Sequence, residues 1–255
     1  PGRTVRPDVP ATFSAATMTP TRSVLVSFDL PDADPLSPVL IETLSPMHVV
    51  VLGHYGLPEQ TPPSAARDQF EADARAELDD LARPFENAGV PVTIRLVFGK
   101  ARAKTIDRVA IEEDCDVVLT PGRVDAIERL FVPLRGEENF DRILSFVGEL
   151  LAATDASVTL FHAGEESDRL PGETILADAT DQLVGTGVDP DRISRRLSDE
   201  SDAGRSIVEL ADAVDLLVLG ETEPSLRHRV LGTVPAQVTA GTDDPAFVIR
   251  NADRQ

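Results

Sequence analysis

The stretch DLLVLG, residues 215–220, is a short apolar run that begins after an aspartate and ends on a glycine. An apolar run of this length between turn-forming residues predicts a buried strand of a parallel sheet. The stretch DVVLT, residues 116–120, has the same pattern roughly 100 residues earlier, a period that indicates a duplicated, domain-sized unit rather than a solenoid.

On both sides of these two stretches, β-branched runs alternate with segments of helical period, the pattern of a parallel sheet covered by helices. The predicted strands of the first half are 23–28, 48–52, 92–97 and 117–120, and its predicted helices are 36–44, 65–88 and 102–113. The second half has predicted strands at 130–134, 157–162, 192–197, 216–219 and 246–250, with helices at 140–153, 174–183, 204–213 and 233–240. Pro84 indicates that the long helix kinks or ends early.

We therefore predict an α/β fold of two tandem, open and mostly parallel sheets, each of about five strands with helices on both faces. Residues 20–127 form the first domain, whose final helix and strand are missing, so that this copy is truncated. Residues 128–252 form the second domain. Residues 1–19 contain Pro, Arg and Thr without an apolar segment, and we predict a flexible N-terminal extension that is not a signal peptide.

The composition is strongly acidic, with 44 acidic against 24 basic residues and a net charge of -20. Lys100 and Lys104 are the only lysines. An acidic, lysine-poor surface is typical of salt-adapted proteins such as those of haloarchaea, because self-repulsion is screened when the Debye length falls to about 3 Å. The alternative is an ordinary acidic protein with a bias toward Arg. Either interpretation disfavours nucleic-acid binding, since no basic stripe is present.

Cys115 is the only cysteine, which excludes an intrachain disulfide and agrees with a reducing cytoplasm. Acidic neighbours and an adjoining apolar run predict a buried structural thiol rather than a reactive one. No apolar stretch approaches the ~20 residues that a membrane-spanning helix needs, so no membrane insertion is expected. We predict a cytoplasmic protein.

Four pieces of the second half, taken in order, resemble the universal stress protein family. LFVPLRGE (130–137) is similar to that family's first strand and turn, and LLVLG (216–220) is similar to its fourth strand with the first glycine of the phosphate loop. VLGTV (230–234) is similar to the end of that loop, and DPAFVIR (244–250) is similar to the closing strand. The resemblance covers nearly all of residues 128–250 and, more weakly, residues 20–122. It implies an adenine nucleotide alpha hydrolase-like fold.

The resemblance also implies a nucleotide site. In ATP-binding members of the family, a loop of the form Gly-x-x-Gly-x9-Gly-[Ser/Thr] holds the phosphates, and an Asp after the first strand helps to hold the nucleoside. Glycine lets backbone N–H groups approach phosphate, and a helix N-terminus adds the positive end of its dipole. Carried over to this chain, the residues of the implied cofactor site are Gly220, Thr222, Arg227, Gly232, Thr233 and Val234. ATP is the implied ligand.

The second copy departs from this pattern at three points. Glu223 stands in place of the loop's second glycine, and the spacer 224–231 is one residue short. Arg135 stands where the nucleoside-binding Asp is expected. The basic stretch 227–229 either neutralises phosphate or forms surface ion pairs.

The first copy departs differently. Asp29 follows the first strand, where the family's Asp is expected, but the phosphate loop is reduced to TPGR, residues 120–123. Without a glycine-lined loop a nucleotide has little to hold its phosphates, so we predict that the first copy is a scaffold.

No other chemistry is indicated by the sequence. His54 and His162 follow strands, but their spacing is not that of metal ligands, and we predict partly exposed imidazoles at strand ends. The acidic clusters 165–168 and 189–202 lack the ligand order of a calcium loop and indicate a solvated surface. We assign no catalytic residue and no metal ligand.

These observations predict a non-catalytic stress-response or regulatory protein with at most a degenerate adenine-nucleotide site in the second domain. One alternative is an ATP-using enzyme, adenylating or hydrolysing, and another is a ligand-free regulatory module that partners a transporter. The apolar closing strand 246–249 predicts an exposed sheet edge, which can recruit protein partners by strand addition, and a homodimer through that edge.

Overall fold

A single sheet of nine strands runs through the computed structural model, which describes residues 22–58, 60–134, 139–163, 169–198, 214–221 and 245–251. The strands are β1 Ser23–Leu30, β2 His48–Gly56, β3 Val92–Gly99, β4 Val117–Thr120, β5 Arg129–Pro133, β6 Ser157–Ala163, β7 Ile193–Ser198, β8 Leu216–Gly220 and β9 Ala246–Ile249. Their order across the sheet is β3-β2-β1-β4-β9-β8-β5-β6-β7. The predicted α/β class is confirmed.

Five helices accompany the strands in the described part of the chain: α1 Pro38–Thr43, α2 Pro63–Asn87, α3 Arg102–Glu112, α4 Phe140–Ala153 and α5 Arg169–Gly185. α2 does not end at Pro84, because that residue lies in the last turn, and the helix reaches Asn87 before Gly89 takes a φ of 77°. A 3-10 turn, Pro190–Arg192, precedes β7. The predicted helices 204–213 and 233–240 lie outside the described residues.

Two blocks of parallel strands meet at an antiparallel pair. β1 to β4 are parallel to one another, as are β5 to β9, and β4 pairs with β9 in antiparallel register from Val117↔Ile249 to Thr120↔Ala246. The strands of the two blocks therefore run in opposite directions, and the carboxyl ends of the first block lie at the opposite ends of the strands from the carboxyl ends of the second block.

This junction corrects two predictions. The chain has one continuous sheet rather than two, because β9 hydrogen-bonds to β8 on one side and to β4 on the other. β9 is consequently an interior strand and not an exposed edge; β3 and β7 are the outer strands. Residues 121–128, between β4 and β5, contain no helix or strand, so the first block has no fifth strand of its own beside β4. β9 pairs with β4 in that place. The homodimer and the domain bounds stay predictions.

Two aspartates make the same contacts in the two blocks. The Asp116 amide donates to the Ser23 carbonyl at 2.9 Å, and the Ser23 amide donates to the Asp116 carboxylate at 3.2 Å. The Asp215 amide donates to the Arg129 carbonyl at 3.0 Å, and the Arg129 amide donates to the Asp215 carboxylate at 2.9 Å. Asp116 and Asp215 therefore occupy equivalent positions in the two blocks, as the repeat of the 116–120 pattern at 215–220 predicts.

Buried apolar side chains continue across the junction. Val24 of β1, Leu130 of β5 and Phe247 of β9 belong to one cluster of buried residues. The Phe247 ring meets the Phe146 ring of α4 edge-on, with centroids 5.0 Å apart. β4, β8 and β9 are nearly continuous apolar runs whose side chains are almost all buried, as is typical of strands covered on both faces of a sheet.

Candidate functional site

Each block of strands has one point where strand order reverses. From β1 the chain moves outward to β2 and β3, while β4 lies on the other side of β1. In the same way β5 leads to β6 and β7, while β8 and β9 lie on its other side. Open α/β sheets bind ligands beyond the carboxyl ends of the strands at such reversals. The chain therefore has two candidate positions, which lie at opposite ends of the strands.

Gly220 ends β8 at the reversal of the second block. A Cβ atom on Gly220 would lie 2.7 Å from Cδ1 of Ile143 in α4, so the helix packs against the bare backbone there. The next amide, of Glu221, donates to the Ile249 carbonyl at 2.7 Å. The structure thus places Gly220 where a ligand site is expected; the other predicted site residues, Thr222, Arg227, Gly232, Thr233 and Val234, and also Arg135, lie outside the described residues.

Asp29 is the second-last residue of β1, at the reversal of the first block, and it pairs with His54 of β2. Its Oδ1 atom lies 2.6 Å from Nε of Arg102 and 3.6 Å from Nδ1 of His54. Arg102 also donates through Nη2 to the Ser27 hydroxyl at 2.7 Å. The Asp29 carboxylate is therefore engaged by the protein's own cation.

His54 and His162 are buried, which corrects the prediction of partly exposed imidazoles. The His162 Nδ1 atom lies 2.8 Å from the Leu134 carbonyl oxygen. The His54 side chain is only 5% exposed, and its Nε2 atom has no hydrogen-bond partner. Burial lowers the pKa of His54 below its ordinary value; Asp29 opposes this shift, and Arg102 adds to it.

The lowered pKa of His54 predicts a loss of stability in acid. Above the ordinary pKa of 6.5 the imidazole is neutral in both the folded and the unfolded chain. As the pH falls from 6.5 through the lower pKa of the folded protein, the unfolded chain takes up the proton first, and the folded state loses stability. We expect wild type to lose more unfolding free energy than His54→Gln between about pH 8 and about pH 5, measured by urea unfolding. Parallel pH curves for the two proteins would contradict this assignment.

Cys115 is a structural thiol, as its sequence context predicts. The side chain is buried, and burial raises the pKa of the thiol to about 11. A thiol with that pKa is almost entirely protonated near neutral pH and is a poor nucleophile. In the residues that the structure describes, no group of His, Cys, Asp and Glu side chains could hold a metal ion, and no helix is long and apolar enough to cross a membrane.

Sequence reasoning missed Arg102 as a partner of the β1 carboxylate. The two residues are far apart in the chain, and their contact depends on how α3 packs beside β1 and β2. A signal was nevertheless present: Arg102 lies between Lys100 and Lys104, the only lysines of an acidic chain.

No family model and no curated protein matches the chain. Among solved structures, a universal stress protein from Archaeoglobus fulgidus DSM 4304 is similar over 92% of this chain and 98% of its own length, with a TM-score of 0.68 and 15% identity. The fold is that of the universal stress proteins. A putative universal stress protein from Pseudomonas aeruginosa UCBPP-PA14 is similar over 91% of this chain and 94% of its own, with a TM-score of 0.54 and 16% identity.

At these identities the similarity to universal stress proteins concerns the fold. A universal stress protein in complex with cAMP aligns at 26% identity with 50% of this chain and 100% of its own length, but its TM-score is 0.42, too low for a comparison of sites.

Proposed function

We propose that this chain is a stress-response regulatory protein that acts by binding rather than by catalysis, with a reduced adenine-nucleotide site in its second half. The observation that carries the proposal is the position of Gly220. It lies at the carboxyl end of β8, beside the strand-order reversal, where an open α/β sheet of this kind binds its ligands.

The packing around Gly220 explains why this position is a glycine. Because Ile143 of α4 occupies the space where a side chain would begin, the turn after β8 starts from a position that only glycine fits without displacement of Ile143. α4 begins at Phe140, and Asn139, just before it, donates through Nδ2 to the Glu221 carbonyl at 3.4 Å. The end of β8 and the start of α4 are therefore in contact at the proposed site.

The sequence after β8 favours a weaker site than that of the ATP-binding members of the family. Glu223 adds a negative charge in the loop that would hold phosphate, and Arg135 replaces the Asp that would hold the nucleoside. A carboxylate near phosphate is repulsive, and a missing nucleoside contact lowers affinity further. Arg227, His228 and Arg229 offset part of this repulsion in the proposal. The cytoplasm is the proposed location, because the chain has one cysteine and that thiol is buried.

Equilibrium binding of ATP and ADP tests the proposal, by isothermal titration calorimetry in high potassium chloride. We expect saturable binding to wild type and binding at least about tenfold weaker in Gly232→Asp, since the substitution adds a charge to the proposed phosphate loop. Gly185→Asp is the matched control: the same change at the end of α5, where no atom lies within 4 Å of an added Cβ.

Absence of binding to wild type would contradict the nucleotide site. Equal affinity in wild type, Gly232→Asp and Gly185→Asp would also contradict it, because the site would then lie elsewhere. Turnover of ATP by wild type that is lost in Gly232→Asp would contradict the non-catalytic part of the proposal.

A further inference from the structure

The first turn of α3 concentrates positive charge in an acidic chain. The stretch GKARAK, residues 99–104, contains both lysines of the protein, and Arg102 is the first residue of the helix. Lys100 and Lys104 are exposed. The first turn of α3 contains no acidic residue, and the N-cap position is Ala101, which has no side chain that could cap an amide.

This arrangement opposes the usual preferences of a helix start. The amino end of a helix carries a partial positive charge and unsatisfied N–H groups, so acidic residues and capping oxygens stabilise it, whereas cations are unfavourable there. α3 has cations in place of acids and alanine in place of a capping residue. A bound anion would reverse both effects, since it would accept hydrogen bonds from the amides and neutralise the cations.

An unpartnered nitrogen lies beside the same turn. A Cβ on Gly99 would lie 3.5 Å from His54 Nε2 and 3.3 Å from the Thr105 hydroxyl oxygen, so both polar atoms border the backbone that leads into α3. The Thr105 hydroxyl donates to the Ala101 carbonyl at 3.1 Å, whereas His54 Nε2 has no hydrogen-bond partner. A buried polar atom without a partner is costly, which indicates that a ligand group completes the site.

We propose that the amino end of α3 binds the phosphate group of a small anionic ligand. Lys100, Arg102 and Lys104 supply the positive charge, and the first-turn amides donate hydrogen bonds. His54 Nδ1 lies 3.6 Å from Asp29 Oδ1, and in the tautomer that carries its proton on Nδ1 the Nε2 atom accepts a hydrogen bond from a protonated phosphate oxygen. This site goes beyond the proposed nucleotide site and is distinct from it, because the carboxyl ends of the two antiparallel blocks lie at opposite ends of the strands.

Asp29 is the opposing charge at this site. Its carboxylate contacts Arg102 Nε and holds the guanidinium toward β1, so phosphate and Asp29 compete for the same cation. Asp29→Asn is therefore expected to tighten phosphate binding. An Asp that only contacts a nucleoside would give a different result, since its replacement would leave the affinity for inorganic phosphate unchanged and weaken the binding of AMP.

The test is a titration with inorganic phosphate at fixed pH and ionic strength, followed by the NMR signals of the His54 imidazole, in Gly232→Asp protein so that the second-half site does not contribute. We expect a saturable shift of the His54 signals and about tenfold weaker binding in Arg102→Gln. Arg108→Gln is the matched control: it removes the same charge from the same helix, but beyond the first turn, where Arg108 pairs with Glu112 at 2.8 Å. Its affinity should stay within about twofold of the parent.

Lys104→Gln provides an independent variant, because Lys104 is exposed and its replacement leaves the core intact. It too should weaken phosphate binding severalfold. Equal losses in Arg102→Gln and Arg108→Gln would overturn the proposal, since they would show general attraction to positive charge. A titration without a saturable His54 shift would overturn it as well.

AMP as a second probe separates the sources of the phosphate. Equal affinity for AMP and inorganic phosphate supports recognition of the phosphate alone, and tighter binding of AMP supports a nucleotide as the natural ligand. The two proposals fail separately. ATP binding to Arg102→Gln reports on the site at β8, and phosphate binding to Gly232→Asp reports on the site at α3.

Discussion

Truncation of Phe247 to alanine is expected to lower the free energy of unfolding by about 3–5 kcal/mol. The side chain is fully buried in the middle of β9, which pairs with β4 on one side and β8 on the other. Its ring meets Phe146 of α4 edge-on, so the truncation removes an aromatic contact and leaves a cavity between the sheet and α4. The cost is large because that junction is the interior of the sheet.

Urea unfolding at constant potassium chloride measures this effect, since urea changes stability without changing ionic strength. Phe140→Ala is the control: it makes the same chemical change at the start of α4, where the side chain is only partly buried. We expect the control to lose less than half as much stability. Similar losses in the two variants would contradict the central position of β9 in the sheet.

Gly172→Ala is expected to destabilise the protein by about 1–3 kcal/mol, although alanine is the better helix former. An added Cβ would lie 2.6 Å from Cδ2 of His162 and 2.9 Å from Cδ1 of Leu197. The imidazole cannot move away freely, because its Nδ1 atom is within hydrogen-bond distance, 2.8 Å, of the Leu134 carbonyl oxygen. The clash therefore displaces either α5 or the ring and breaks that hydrogen bond.

Gly185→Ala makes the same substitution in the same helix and is expected to have the opposite sign. No atom lies within 4 Å of an added Cβ at Gly185, so only helix propensity acts, and the gain lies between zero and about 1 kcal/mol. Urea unfolding of both variants measures the difference. A stabilising Gly172→Ala would show that α5 does not pack on His162 as described.

Most element positions followed from local pattern. The predicted strand 117–120 and the predicted helix 140–153 have the bounds that the structure gives, because an apolar run between turn residues and a clear helical period are local signals. Pro84 shows the limit of such signals: it could end a helix, but tertiary packing of Leu81, Ala82 and Phe85 keeps the last turn of α2 in place.

The candidate sites were predictable only in part. Gly220 was expected at the end of an apolar strand, and the fold places that strand end beside a strand-order reversal; its role in binding stays a prediction. The contacts of Asp29 with His54 and Arg102 were not found, since they join residues on β1, β2 and α3 that meet only after the sheet has formed. The burial of His54 follows from the same packing, which covers the carboxyl end of β2 with the first turns of α3.

By itself, the amino-acid sequence determined the alternation of strands and helices, the repeat of the 116–120 stretch at 215–220, and the acidic surface. These are properties of spacing and side-chain chemistry that neighbouring residues set. The tertiary structure alone decided that β9 joins β4 in antiparallel register and unites the two blocks in one sheet. β9 is apolar and short, and its pattern is the same for a parallel or an antiparallel neighbour. The missing strand beside β4 left hydrogen-bonding groups that β9 could pair, and burial of Phe247 against Phe146 stabilises that arrangement.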